Sequence, residues 1–412
     1  MRNLSRRRFL AASAALAATP LLPRLFAIDG GRKAPAANPI PAANAAFGCD
    51  LYAQLRTEKG NVFFSPFSIE TALAMTAVGA RKNTLTEMEK VLHLPEAEKA
   101  NAGFKALLDA LNDVKGGEKK RGFELSVANA LWGQSGFPWR KEFLTATQES
   151  YGAGLVEVDF KDEPAARKTI NDWVEGHTNK KIKDLIPAGV LTALTRMVLT
   201  NAVYFKGKWE LEFDTKLTKD GPFRLADGTK ADVPLMHKTA RIRYGETDDA
   251  QAVELAYKGG ETSMTVLLPK KADGLAAVEK GLSADSLDKL HAGMGNNEVI
   301  LTLPRFKAET KYTLNDPLQK LGMKDAFDPN AADLGGMHTS PERLFISTVL
   351  HKAFVEVNEE GTEAAAATAV VVATASAVRP EPKVFKADRP FLFLIRHTPT
   401  NTVLFLGRFE KP

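Results

Sequence analysis

The chain has 412 residues, of which 44% are hydrophobic and 25% charged, a composition that excludes a disordered class and suffices for a sizeable core. Five of its 55 basic residues and none of its 50 acidic residues lie in 1–28, so the net charge of +5 belongs to that segment and a nucleic-acid partner is not expected. Cys49 is the sole cysteine, which excludes an intramolecular disulfide.

Residues 1–28 have the pattern of an export signal. Arg6, Arg7 and Arg8 precede the apolar segment 10–22, which is shorter than the roughly 20 residues that a membrane span requires. The start of the chain resembles a twin-arginine signal; an Arg-rich general secretory signal is the alternative. Residues 29–42 form a Pro/Ala-rich, flexible connector. The mature chain is expected in the periplasm or outside the cell, without membrane attachment.

Residues 43–412 contain no linker that would divide them, and their first part is helical in pattern. Helices are predicted at 44–56, 68–80, 84–92, 97–113, 165–185 and 313–321. Strands are predicted at 124–133, 197–209, 250–257, 263–269, 299–306 and 383–397. Helices first and strands later, with few βαβ alternations, predict an α+β fold with more than one sheet.

The usual signatures of enzymes are missing from the sequence. It contains no GxSxG, HExxH, GxGxxG or GxxxxGK[ST] pattern. The seven histidines are too far apart to suggest a metal-binding motif. No metal and no cofactor is therefore expected. A hydrolase whose Ser/His/Asp triad is assembled from distant positions stays open, because triads are defined by geometry.

The segment NEEGTEAAAATAVVVATASAVRPEPKVF, residues 358–385, is compatible with a strand although its alanines bury little. Residues 362–372 contain one charge, Glu363, and no Pro or Gly. Because side chains alternate along a strand, one face would carry Thr362, Ala364, Ala366, Thr368, Val370 and Val372, and the other Glu363, Ala365, Ala367, Ala369, Val371 and Ala373. The alternative is a disordered Ala-rich connector.

Six short motifs follow one another along the chain. They are NVFFSPFSI (61–69), NAVYFKGKW (201–209), LPRF (303–306), HKA (351–353), EEGTEAAAAT (359–368) and DRPFLF (388–393). Together they resemble the serpin family over 43–412. The resemblance implies an α+β fold with about three β-sheets, eight or nine helices and an exposed reactive loop at 359–385.

In serpins the target serine protease cleaves this loop, whose N-terminal part then inserts as a new strand into the largest sheet and traps the covalent acyl-enzyme. The resemblance therefore implies a monomeric, irreversible protease inhibitor and not an enzyme. A non-inhibitory binding or chaperone-like serpin is the alternative. Such members tend to carry charged or bulky hinge residues, whereas positions 364–367 of this hinge are all alanine.

The resemblance also assigns roles to individual residues. The hinge of the loop comprises Glu359, Gly361, Thr362, Glu363, Ala364, Ala365, Ala366 and Ala367. The shutter, a polar cluster beneath the central strands, comprises Ser65, Ser68, Asn201 and His351. Trp209 lies at the breach, where the loop enters the sheet. Ordinary core packing is the alternative for the shutter and breach residues, and both interpretations can hold together.

The reactive bond follows from position in the loop. Counting fifteen residues with Gly361 as the first gives Ala375, so the bond predicted is Ala375-Ser376; Thr374-Ala375 and Ala377-Val378 are the neighbouring alternatives. Small apolar residues here suit an elastase-like or subtilisin-like protease. Arg379 is a poor site for a trypsin-like enzyme because Pro380 follows it.

Overall fold

A computed structural model describes residues 37–112, 122–362 and 381–412. The predicted export signal and nearly all of the connector lie outside these residues. So do the hinge residues Glu363 to Ala367 and the predicted reactive bond Ala375-Ser376. The described part of Asn38–Pro412 belongs to one compact unit.

The described residues contain nine α-helices. They are α1 (Ile40–Leu55), α2 (Pro66–Gly79), α3 (Lys82–Val91), α4 (Ala97–Asn112), α5 (Lys141–Tyr151), α6 (Glu163–His177), α7 (Leu275–Lys280), α8 (Ala284–Gly293) and α9 (Asn315–Leu321). The six predicted helices are present, but α6 ends at His177 and not at residue 185. Asn179 and Lys180 have φ angles of 50° and 61°, which a right-handed helix cannot contain.

Fifteen β-strands occur in the same residues. They are β1 (Val62–Phe64), β2 (Phe123–Gln134), β3 (Leu155–Val158), β4 (Met197–Lys208), β5 (Lys219–Arg224), β6 (Lys230–Glu246), β7 (Ala250–Ala256), β8 (Thr262–Pro269), β9 (Gly295–Pro304), β10 (Phe306–Thr313), β11 (Thr348–Val357), β12 (Gly361–Thr362), β13 (Lys383–Lys386), β14 (Phe391–His397) and β15 (Thr402–Phe409). The α+β class is confirmed.

The strands form two hydrogen-bonded sheets within the described part of the chain. One has nine strands in the order β1-β15-β14-β8-β7-β6-β9-β13, with β5 also paired to β6; the other has six in the order β10-β11-β4-β2-β3, with β12 also paired to β4. About three sheets were expected, whereas the described residues form two. The number is lower because β6, at 17 residues, pairs with β5, β7 and β9. A single long strand thus joins what would otherwise be two sheets.

Helix α2 packs beneath the six-stranded sheet and is buried along nearly its whole length. Its start is fixed by Ser65, whose Oγ accepts a hydrogen bond from the backbone N–H of Ser68, and by Pro66 in the first turn. The opposite face of the sheet is covered by α6, whose Ile170 and Val174 share a second apolar cluster with residues of β2 and β4. The central strands are therefore covered on both faces.

Candidate functional site: the root of the reactive loop and the central strands

The six-stranded sheet is open at one end between β11 and β4. Parallel pairing of the two strands ends at Phe354 and Tyr204, although both strands continue beyond these residues. β12 lies in the space beyond and pairs with β4 through Gly361 and Thr362. Because β2 covers the other edge of β4 as far as Gly207, β12 lies on the edge that faces β11. The hinge thus begins between two central strands.

The chain enters this gap through a tight turn closed by reciprocal backbone hydrogen bonds between Asn358 and Gly361, of 2.8 and 3.3 Å. Gly361 has a φ of 145°, and a Cβ placed there would lie 2.0 Å from the carbonyl oxygen of Gly207. A side chain at this position would require β4 or the turn to move.

Thr362 is buried, with no exposed surface. Its hydroxyl lies 3.0 Å from the hydroxyl of Tyr257, whose pKa is raised by burial despite this hydrogen bond. The Tyr257 ring stacks on Trp209 with a centroid separation of 4.5 Å. Trp209 in turn donates its indole N–H to the carbonyl oxygen of Asn358 at 2.9 Å. The first residue of the predicted inward face and the breach tryptophan therefore share one buried cluster.

Glu359 anchors the loop to the neighbouring strands. Its carboxylate accepts hydrogen bonds from the Arg305 guanidinium and from the Thr218 hydroxyl, and it is 3% exposed. Burial alone would raise the pKa of Glu359, but the hydrogen bonds from Arg305 and Thr218 outweigh burial and lower it. The backbone N–H of Phe213 also donates to its carbonyl oxygen at 2.8 Å. The root of the loop is thus held before any cleavage.

The predicted shutter residues occupy the middle of the molecule. The Ser65 backbone N–H donates to Nε2 of His351 at 3.1 Å, and the Ser65 hydroxyl donates to the carbonyl oxygen of Leu404 at 2.6 Å. Burial lowers the pKa of His351 to about 3, so its imidazole is neutral at physiological pH and Nε2 can accept this bond. Ser65 and His351 therefore join helix α2 to β11.

Asn201 differs from the other shutter residues. It lies between Asn129 on β2 and His351 on β11 in directly paired positions, yet neither atom of its buried amide has a hydrogen-bond partner. Ser68 bonds instead with Asn129: its hydroxyl donates to the Asn129 amide oxygen at 2.5 Å, and the Asn129 amide nitrogen donates to its carbonyl oxygen at 3.0 Å. Unpaired buried amide atoms are rare. These two lie between β4 and β11, the strands that would have to separate for a new strand to enter.

Sequence reasoning missed four residues of this site: Asn129, Thr218, Tyr257 and Arg305. Arg305 lies within the LPRF motif, but the motif does not indicate its partner Glu359, which lies 54 positions away. Asn129 occurs within a predicted strand, where a lone Asn is an available signal. Nothing local in the sequence marks Thr218 or Tyr257.

The described ranges offer neither a metal-ligand cluster nor a membrane-spanning helix. No group of three or more His, Cys, Asp or Glu residues there is placed to hold a metal ion. None of the helices in those ranges is both long and apolar enough to cross a membrane. Cys49 is buried, and burial together with Asp50 raises the pKa of its thiol to about 12.

Comparison with known proteins gives the same family as the motifs. Residues 42–412 match the family model described as serpin (serine protease inhibitor). The chain is 45% identical to an uncharacterised serpin-like protein of Thermococcus kodakarensis over 91% of this chain and 86% of that protein. It is 42% identical to the leukocyte elastase inhibitor of Homo sapiens over 90% and 99%. The crystal structure of Serpin48 from Tenebrio molitor matches with a TM-score of 0.80 and 34% identity, covering 91% and 98%.

The chain therefore belongs to the serpin family of serine protease inhibitors. Its arrangement of helices and sheets is the serpin fold, as the resemblance implied. Within that fold, the first residues of the loop lie in the gap between β11 and β4.

Proposed function

We propose that this serpin is an irreversible suicide inhibitor that traps a serine protease as a covalent acyl-enzyme while its own cleaved loop inserts between β11 and β4. The observation that carries the proposal is β12. Two residues of the loop already pair antiparallel with β4 in that gap, so insertion would extend an existing ladder while β11 separates from β4.

The observed register fixes what an extended strand would meet. Gly361 pairs with Lys208 and Thr362 with Gly207, so each further loop residue would pair with the preceding residue of β4. Thr368 would then lie opposite Asn201, and Val372 opposite Met197, the first residue of β4. The predicted reactive residue, Ala375, would pass beyond the end of β4. An attached protease would be carried from one end of the sheet to the other.

The same register separates the two faces of the inserted segment. The face of Thr362 would meet β4 residues Phe205, Val203 and Leu199, which belong to the main core. Alanines at 364 and 366 are small enough to enter without obstruction, and Val370 and Val372 would bury apolar surface at about 25 cal/mol per Å². Glu363, on the other face, would lie opposite Lys206. The only charge in 362–372 would therefore meet a charge of opposite sign.

Insertion would also supply a partner for Asn201. Thr368 would place its hydroxyl on the same face as the unpaired Asn201 amide, because directly opposite residues share a face. A buried amide without a partner costs roughly 1–3 kcal/mol. Part of the energy that drives insertion would thus come from the unpaired Asn201 amide of the closed shutter.

The target is proposed to be elastase-like or subtilisin-like. Val372, Ala373, Thr374 and Ala375 would offer small, mostly apolar side chains to a protease that cleaves after Ala375. The relative of Homo sapiens named leukocyte elastase inhibitor supports the elastase-like choice.

A direct test is incubation with an elastase, followed by denaturing gel electrophoresis and mass spectrometry. The proposal expects a complex that survives denaturation and a released C-terminal peptide beginning at Ser376. Complete cleavage without a complex would indicate a non-inhibitory serpin. Turnover of a generic ester, lost on replacing a single Ser, would instead favour a hydrolase.

Export by the twin-arginine route is a second part of the proposal, supported by Arg6, Arg7 and Arg8 ahead of a short apolar segment. This route moves folded proteins, so the inhibitor would fold before it leaves the cytoplasm. Replacing Arg6 and Arg7 by Lys should stop export. Accumulation outside the cytoplasm at the parent level would contradict it.

A further inference from the structure

Leu194 is 77% exposed, more than any other large hydrophobic residue in the described part of the chain. Apolar residues that are exposed singly are common in soluble proteins, but Leu194 has a distinctive position. It lies in residues 192–196, here called the exit turn, which lead directly into β4 at Met197. The loop root pairs with the opposite end of β4, so roughly 36 Å of strand separates the two.

The exit turn is held by hydrogen bonds of its own. The backbone N–H of Thr195 donates to the carbonyl oxygen of Thr192 at 2.9 Å, and the backbone N–H of Thr192 donates to the Thr195 hydroxyl at 3.0 Å. The Thr192 hydroxyl accepts from the backbone N–H of Leu194 at 3.3 Å. Leu191, the preceding residue, is buried in the apolar cluster shared with α6. The turn therefore presents Leu194 to solvent from a well-fixed backbone.

Arg196 joins the exit turn to the other side of the gap. Its guanidinium donates to the carbonyl oxygens of Ala193 and Thr195 at 3.1 and 3.3 Å. It also lies 3.7 Å from the carboxylate of Glu342, in the segment that precedes β11. At this end the gap between β4 and β11 is thus bordered by the exit turn on one side and by the segment of Glu342 on the other.

The register of β12 would bring the acyl bond to this end of the gap. Extension of that register puts Val372 opposite Met197. Ala375 would follow three residues later, roughly 10 Å past the end of β4. Leu194 lies the same number of residues before Met197. The catalytic serine of the protease, joined to Ala375, would therefore come level with Leu194.

We propose that Leu194 contacts the protease once the loop has inserted and thereby lengthens the life of the covalent complex. This inference rests on the proposed function, because only a protease carried to this end of the sheet meets the exit turn. Leu194 would bury its apolar surface against the rim of the active site of the protease. The contact opposes the return of the protease to an active geometry.

Hydrolysis of the complex is the step that this contact would slow. Water attacks the ester carbonyl of Ala375, and the bond between that carbonyl carbon and the serine oxygen of the protease breaks. The serine oxygen takes up a proton, and Ala375 is left with a free carboxylate. The protease is then released, with its serine able to react again.

The contact acts at one stage of the reaction only. Before cleavage the protease is bound to the loop, which is attached at the opposite end of β4 from Leu194. The association rate and the fraction of cleaved inhibitor that forms a complex are therefore independent of Leu194. A residue required only for folding would instead change thermal stability and every stage together.

The test compares the parent with Leu194→Ser in the full-length protein, with an elastase as the probe. Purified complexes are incubated, and the return of elastase activity and the loss of the covalent band on a denaturing gel are followed over days. Loss of the apolar contact predicts hydrolysis about tenfold faster, with association rate, stoichiometry and thermal stability at the parent values. Leu194→Met, which keeps an apolar side chain, should retain the parent lifetime.

Ile300→Ser is the matched control. Ile300 is another exposed apolar residue, on β9 in the other sheet, and its replacement should leave the lifetime of the complex unchanged. Leu194→Ala removes less of the side chain and should also shorten the lifetime, which covers the case of a Leu194→Ser variant that fails to fold.

Equal lifetimes for the parent complex and the complexes of the two truncated Leu194 variants would overturn the contact. An equal shortening by Ile300→Ser would also overturn it. If the parent traps elastase in these cases, the proposed function stands. A parent that forms no complex with elastase would overturn both.

Discussion

Arg305 and Glu359 form a two-pronged ion pair at the root of the reactive loop, with Nε of Arg305 2.8 and 2.7 Å from the two carboxylate oxygens. Glu359 is buried, whereas the Arg305 side chain is 45% exposed. The pair joins the start of the loop to the junction of β9 and β10. It holds β12 at the end of the gap between β11 and β4, where β12 pairs only with Gly207 and Lys208.

Replacing Glu359 by Lys should therefore free the loop root and destabilise the intact protein. The ammonium introduced at position 359 and the Arg305 guanidinium would then face each other beside a buried position. The free energy of unfolding should fall by about 3 kcal/mol. This is the lower end of the range for breaking a buried ion pair, because Arg305 can turn towards water. Denaturant unfolding measures it. Glu359→Gln, which keeps the shape and the bond from Thr218, should lose less. Equal stability of Glu359→Lys and the parent would contradict the anchoring role.

Because His351 is buried and neutral, the folded protein should lose stability on acidification. Its pKa is lowered to about 3 by burial, against about 6.5 for an unfolded histidine. The unfolded chain therefore binds the proton first, and stability falls as the pH drops from about 6.5 towards 3. At pH 5 this group alone should cost about 2 kcal/mol relative to pH 8. Denaturant unfolding of the parent and of His351→Gln across pH 5–8 isolates the contribution. Parallel curves would contradict it.

Thr362→Arg should convert the inhibitor into a substrate. Thr362 is fully buried beside Tyr257, and a guanidinium there would be buried without a partner. Elastase should still cleave the loop, but the stoichiometry of trapping should fall towards zero. Glu363→Gln is the control, because the proposed extension of the register would put that side chain on the opposite face. Trapping by Thr362→Arg at the parent stoichiometry would show that the face assignment is wrong.

Thr368→Val tests the register of the inserted strand. The change keeps volume and β-branching and removes the hydroxyl proposed to pair with Asn201. The cleaved protein should lose about 1–2 kcal/mol of unfolding free energy, whereas the intact protein should be unaffected, because the proposed mechanism inserts the loop only after cleavage. Thr374→Val, which would lie beyond the end of β4, is the matched control. Equal losses in the two cleaved variants would contradict the register.

The sequence predicted those elements whose signals are local. The apolar run predicts α2 at 68–80, although the helix begins two residues earlier at Pro66, with Ser65 as its N-cap. The strand predicted from the Thr/Ala/Val alternation stays a prediction, because residues 363–372 lie outside the described ones. α5 was missed because it buries only Phe143, Thr147 and Tyr151, a narrow stripe with one polar member. β6 was missed because its buried and exposed positions do not alternate regularly.

Sequence reasoning named residues that carry a family motif, and it missed contacts that long-range pairing decides, even for Arg305, which lies within a motif. Ser65, Ser68 and His351 are bonded into the shutter, but Asn129 enters it through the pairing of β2 with β4. Arg305 and Glu359 meet because β10 and β11 pair antiparallel, with Phe306 opposite Val357. Which residues of two distant strands face each other depends on register, and register is a property of the whole sheet.

The central claim is that the intact protein is held above its lowest free energy and that one cut in the loop releases it. Thermal unfolding before and after limited cleavage at Ala375-Ser376, with the cut verified by mass spectrometry, tests this most directly. The cleaved protein is predicted to unfold at a markedly higher temperature than the intact one. Unfolding of the cleaved protein at the same or a lower temperature would contradict it.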